Sequence, residues 1–189
     1  MRSVSSECSV AQARVSGRFV SLVDTPALLN TQMNQEHLMK EISRSVCLSS
    51  PGPHAIPIVL RLDRFTAEEQ QIPQMMEEMF GEEMLKYSII LFTGGDQLRG
   101  ETIKELIEQN GELRAVLAQC GSRYQPFNNI DENNRHQVED LLQKIDSIIQ
   151  QNGGAHYTNQ MTEDAYRRRR GERFREKKLE LRITEMIEA

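Results

Sequence analysis

The 189 residues, 38% hydrophobic and 27% charged, suffice for one domain with a continuous core plus an appendage, and exclude collagen-like and wholly disordered classes. A net charge of -5 excludes whole-surface attraction to nucleic acid or anionic lipid, which are bound through clustered Lys and Arg. Cys8, Cys47 and Cys120 are too scattered for a disulfide scaffold or a four-ligand zinc site and fit a reducing cytosolic setting, and no apolar run has the length of a signal-peptide core or a membrane span.

Residues 18–23 read as a buried strand that runs into Asp24-Thr25-Pro26, where proline ends the ladder and leaves the aspartate at the strand tip. Residues 35–48 carry Leu38, Ile42 and Val46 on one helical face, and Ser49-Ser50-Pro51-Gly52-Pro53 stops that helix. The apolar run 55–62 predicts a strand covered on both sides, with Pro57 arguing against a central position because it lacks a ladder donor.

Thr66 and Glu69 form a capping-box pattern ahead of Ile72, Met76, Met79 and Phe80, predicting a helix that ends at Gly81. Residues 87–92 predict a buried strand leaving through Thr93-Gly94-Gly95-Asp96. Two helical pieces, 102–109 and 112–120, break near Asn110-Gly111. A short strand at 123–127 ends in Asn128-Asn129, and a helix over 135–151 stops at Asn152-Gly153-Gly154.

This alternation predicts an α/β fold, a mostly parallel sheet flanked by crossover helices. Such folds place ligand sites at the carboxyl ends of strands, where Asp24, Asp96 and Asn129 fall. Beyond residue 158 the composition turns to Arg167-Arg168-Arg169-Arg170 and mixed Lys, Arg and Glu, which reads as a solvated charged helix or weak coiled coil and gives no case for a nucleic-acid partner.

Three groups could carry chemistry. Asp24 either holds a magnesium ion through water or caps a turn at an ordinary strand exit. Asp96 offers two acceptors that match the ring N–H and exocyclic amine of guanine, although Gly-Gly-Asp is also a common turn. Asn128 and Asn129 either contact a base or shape their own loop. His37, His54, His136 and His156 lack metal-ligand spacing, and the clustered Met75, Met76, Met79 and Met84 read as core filler. No G-x-x-x-x-G-K-[ST] phosphate loop occurs.

Taken together, Val23-Asp24-Thr25-Pro26-Ala27-Leu28, Ser49-Ser50-Pro51-Gly52-Pro53-His54-Ala55, Arg64-Phe65-Thr66-Ala67-Glu68-Glu69, Leu91-Phe92-Thr93-Gly94-Gly95-Asp96, Arg123-Tyr124 and Phe127-Asn128-Asn129 closely resemble the landmarks of the AIG1-type, immunity-associated (GIMAP) GTPases. The resemblance implies a P-loop GTPase-like domain over 1–158 lacking its first strand and P-loop, followed by a charged helical extension over 159–189. It makes Asp24 the magnesium-side carboxylate of the third G motif, with Ala27 where the family has the glycine whose N–H meets the γ-phosphate. Thr93 opens the base-reading motif and Asp96 is its guanine-binding aspartate, with Gly94 replacing the usual arginine. Asn128 and Asn129 match the fifth motif, Ser5 takes the switch-I hydroxyl position beside magnesium, and Arg64 resembles the finger that reaches a dimer partner's nucleotide.

The implied function is binding of GTP or GDP with Mg2+, with weak or absent hydrolysis. The alternative is a catalytically silent module that associates with intact relatives. The implied partners are a second copy or an intact relative in a homo- or heterodimer, and the implied setting is cytoplasmic, peripheral to membranes only through a partner.

Overall fold

The computed structural model describes residues 5–29, 34–62, 65–98, 100, 102–131, 133–158, 160–161, 164 and 167. Five strands and five α-helices alternate through it: β1 (Ser9–Val15), β2 (Arg18–Asp24), α1 (Gln35–Leu48), β3 (Ile56–Arg61), α2 (Ile72–Phe80), β4 (Ser88–Thr93), α3 (Ile103–Gln109), α4 (Gly111–Gln119), β5 (Tyr124–Phe127) and α5 (His136–Gln151). The expected α/β architecture is present, with parallel strands in the order β3-β4-β5 flanked by helices.

Two features depart from expectation. Residues 9–15 form a strand that the weak pattern Ser-Val-Ala-Gln-Ala-Arg-Val did not announce, and it pairs antiparallel with β2 as a separate two-stranded ribbon. The turn between them is Ser16-Gly17, both at positive φ (47° and 78°), which matches the right-handed twist of a tight hairpin. Accordingly β2 is not a buried strand: with β1 as its only partner in the ribbon, it leaves Phe19 72% and Leu22 57% exposed.

Among the described residues strand β3 lies at the end of its sheet, which explains how it tolerates Pro57. Leu62 N–H reaches the Thr93 carbonyl, so backbone alternation turns Pro57 nitrogen away from β4 and costs that pairing no donor. One sheet face is fully packed, through Ile58, Leu60, Ile90 and Phe92. On the other, α5 lies over β5 and Ile89 and Gln125 are buried, but that cover gives out at β3, where Val59 is 60% exposed. The expectation of a strand covered on both sides therefore fails at Val59.

The helices follow their signals. Asn34 caps α1 by accepting the Glu36 N–H, and Asn110 both closes α3 and caps α4 by accepting the Leu113 N–H at 2.9 Å. Thr66 and Glu69 form the reciprocal capping pair, but it leads first into a 3-10 turn, Glu69–Gln71, and α2 begins at Ile72 with Pro73 in its first turn.

The core gathers Leu38, Ile42 and Val46 of α1, the inner residues of β3 and β4, Met76 and Phe80 of α2, Val116 and Leu117 of α4, Ile148 of α5, and Tyr157. Tyr157 is wholly buried; its hydroxyl donates to the Phe80 carbonyl at 2.8 Å and its ring meets Phe80 and Tyr87 edge-on. Among the described residues no helix is long and apolar enough to cross a membrane. Residues 160–161, 164 and 167 of the expected charged extension are described and helical; the rest of it, Arg168-Arg169-Arg170 included, lies outside the described residues.

Candidate functional site

The β4 and β5 strands pair in parallel with Thr93 opposite Phe127, so the loops leaving them start side by side. After Thr93 the chain turns at Gly94, whose φ of 79° is natural for glycine, into the 3-10 turn Gly95–Leu98 that carries Asp96. Gly95 then passes tightly against the neighbouring loop: a Cβ there would sit 3.1 Å from the Phe127 carbonyl oxygen and 3.3 Å from the Asn128 nitrogen. This close approach brings Asp96 and Asn128, 32 positions apart in sequence, to adjoining strand ends.

The Asn128 loop is braced from α5. Its N–H donates to Gln137 Oε1 at 2.9 Å and its carbonyl accepts from Gln137 Nε2 at 3.2 Å. The Asn128 side-chain oxygen accepts the N–H groups of Ile130 and Asp131 at 2.9 and 3.2 Å. Asn128 is thus a loop former, as one of the two sequence readings held, and what its amide can still offer a base is the Nδ2 donor. Asn129 is exposed. The Thr93 hydroxyl bonds weakly to the Leu60 carbonyl at 3.4 Å, tying the end of β4 to β3.

Lys144 of α5 also faces inward. Its ammonium donates to the Tyr124 carbonyl and to Gln125 Oε1, both at 2.7 Å, and lies 5.4 Å from the Tyr124 ring centre. Burial lowers its pKa. It anchors α5 to β5, and Arg123 does the same between β5 and the start of β4 by donating to the carbonyls of Ser88 and Leu85.

A second group forms at the end of β2. Ser5 Oγ donates to Asp24 Oδ2 at 2.8 Å. Ser5 Oγ and the Asp24 carboxylate are hard oxygens of the kind that would hold a Mg2+ ion, Asp24 through water. Among the described residues no three His, Cys, Asp or Glu side chains cluster for a metal. Pro26 is buried and Ala27 exposed, and Ala27 does not adopt a positive φ. Arg64 lies outside the described residues.

Two further residues matter that sequence reasoning passed over. Gln137 clamps the Asn128 loop, and Glu41 of α1 is buried with its carboxylate on the N–H of Cys8 at 2.8 Å. Gln137 carried no signal. For Glu41 there was one: an acidic residue between Leu38 and Ile42, at the edge of an apolar face.

The AIG1 family model matches residues 1–178. Immune-associated nucleotide-binding protein 8 of Arabidopsis thaliana is 34% identical over 167 residues, covering 84% of this chain and 47% of that protein. Immune-associated nucleotide-binding protein 1 of the same plant is 32% identical over 169 residues, covering 85% of this chain and 75% of that protein. GTPase IMAP family member 8 of Homo sapiens is 31% identical over 149 residues, covering 77% of this chain and 22% of that protein. The chain spans about half the length or less of several relatives it matches. Among solved structures, a chain from work on chloroplast translocon components, for whose GTPase activity dimerization is important, superposes with a TM-score of 0.59 at 13% identity, covering 77% of this chain and 69% of its own; at that identity the likeness concerns the fold. With one family model spanning nearly all of its length and relatives above 30% identity in two kingdoms, the chain belongs to the AIG1 family.

Proposed function

We propose that the chain recognises guanine nucleotides through Asp96 and Asn128, with Ser5 and Asp24 on the phosphate and Mg2+ side, and that hydrolysis is weak or absent. The observation that carries the reading is the packing of Gly95 onto the Phe127-Asn128 backbone, which holds a carboxylate and an amide donor at neighbouring strand ends. Asp96 accepts from the ring N–H and exocyclic amine of guanine, a donor pair that adenine lacks, and Asn128 Nδ2 donates to the ring carbonyl. Mg2+, when bound, would neutralise phosphate charge, and Ser5 and Asp24 are the residues that would hold it. The sequence contains no phosphate-loop lysine, so affinity in this chain rests mainly on the base. In this reading residues 1–158 are the G domain, 159–189 a helical extension, Ala27 and Thr93 flank the ligand, and Arg64 reaches a partner's nucleotide in a dimer.

A second reading, an interaction module that joins intact relatives at a cytoplasmic or membrane-peripheral site, is favoured by one observation: Phe19, Leu22 and Val59 expose apolar surface on strands that have open edges among the described residues. Calorimetric titration of GDP, GTP and ATP in Mg2+ separates the two. Guanine-selective binding that Asp96→Ala weakens by about tenfold or more supports the first. A folded chain with no guanine-selective binding sinks it and leaves the second.

A further inference from the structure

We infer that Glu41 is a positioning residue for the phosphate side of this site: from α1 its buried carboxylate fixes the Ser5–Cys8 segment and thereby sets the Ser5 hydroxyl against Asp24. The inference rests on the nucleotide reading for its functional half, and on geometry alone for its structural half.

Glu41 is 4% exposed, an unusual place for a carboxylate unless partners satisfy it. They come from two directions. Cys8 N–H donates to Glu41 Oε2 at 2.8 Å, and from its own helix Arg44 Nη1 approaches the two carboxylate oxygens at 3.3 and 3.4 Å. Cys8 is fastened a second time, its Sγ donating to the Glu41 main-chain carbonyl at 3.0 Å. That bond requires the protonated thiol, which burial favours by pushing its pKa up to about 11. Both bonds join residues 33 apart, so they tie the segment leading into the ribbon to α1.

The consequence for Ser5 follows from chain length. Only two residues separate Ser5 from Cys8, and Ser5 makes its bond to Asp24 from that short tether. Asp24 lies opposite Ser9 in the hairpin register, so the ribbon supplies one side of the arrangement. Glu41 supplies the other by fixing the direction in which the chain leaves Cys8. The Ser5–Asp24 pair is therefore set in part from α1, through the Glu41 carboxylate and main-chain carbonyl that both hold Cys8.

The test uses the full chain and three variants, with two readouts. Amide hydrogen exchange reports on residues 5–8, and GDP and ADP titrations with Mg2+ or with EDTA report on the site. In Glu41→Ala, exchange at residues 5–8 is expected to rise about tenfold or more while β4 and β5 hold their protection. The Mg2+-dependent gain in GDP affinity is expected to disappear while the preference for GDP over ADP stays. Glu41→Gln, which keeps an acceptor oxygen, restores most of the protection. If Glu41→Ala fails to fold, Glu41→Asp, one methylene too short to reach Cys8, carries the same expectations. Unchanged exchange at residues 5–8, or equal loss of the Mg2+ gain and the base preference, overturns the inference. A wild-type chain that binds no GDP overturns the nucleotide reading instead, and exchange at residues 5–8 in the variant then decides the role of Glu41 by itself.

Discussion

Gly52→Ala is the substitution whose cost the structure specifies most sharply. Gly52 is buried, with φ at 152°, and an added Cβ would run into the Tyr157 carbonyl oxygen and lie 2.7 Å from His156 Nδ1. Relief requires Tyr157 to move, yet that residue is held by its hydroxyl on the Phe80 carbonyl at 2.8 Å, its N–H on the Pro53 carbonyl at 3.0 Å, and edge contacts with two aromatic rings. Overpacking of this kind costs about 1–3 kcal/mol and the positive φ about 1–2 more, so the sum is about 2–5 kcal/mol. At about 2–4 °C per kcal/mol for a domain of this size, thermal unfolding followed by circular dichroism should show a fall of about 10 °C. Gly17→Ala is the matched control. Gly17 has φ 78° but nothing within 4 Å of the added carbon, so it bears the backbone cost alone and should lose only about 2–8 °C. Equal shifts in the two variants would refute the claim that the Ser-Pro-Gly-Pro box is packed directly against Tyr157.

The remaining predictions concern single contacts. Tyr157→Phe keeps the ring and removes the bond to the Phe80 carbonyl, and should cost about 1–2 kcal/mol in urea unfolding. Asn110→Ala removes the cap that accepts the Leu113 N–H and should cost about 1 kcal/mol by the same measurement. The Cys8 N–H, foremost, and the nearby Arg44 hold the Glu41 carboxyl below the usual glutamate range. Its ionised form therefore stabilises the fold at neutral pH, and that stabilisation is lost as the pH falls through the depressed pKa. Urea midpoints of wild type and Glu41→Gln, measured from neutral to acid pH, should converge as the carboxyl protonates; parallel curves would contradict this.

Much of the scaffold was legible because its signals are local. The apolar runs behind β3 and β4, the capping pair at Thr66 and Glu69, and the break at Asn110-Gly111 each depend on residues a few positions apart, and each appears where the pattern put it, apart from the 3-10 turn that delays α2. The landmarks around Asp24, Asp96 and Asn128 were equally readable, since each sits at the exit of a strand. β1 escaped notice because its residues are small or polar and its existence depends on pairing with β2.

The sequence by itself determined the α/β alternation, the strand-exit position of the polar motifs and the family likeness, because these follow from spacing along the chain. Only the tertiary structure decided that β2 belongs to an exposed ribbon, that β3 ends its sheet with Pro57 harmlessly placed, and that Asn128 commits its side-chain oxygen to its own loop. It alone brought Gly95 onto Phe127 and Glu41 onto Cys8, contacts across 32 and 33 positions. The physical reason is common to all of these: burial and hydrogen-bond satisfaction are properties of neighbours in space, and a buried carboxylate or a glycine without room for a Cβ carries no mark of its partner in the residues beside it.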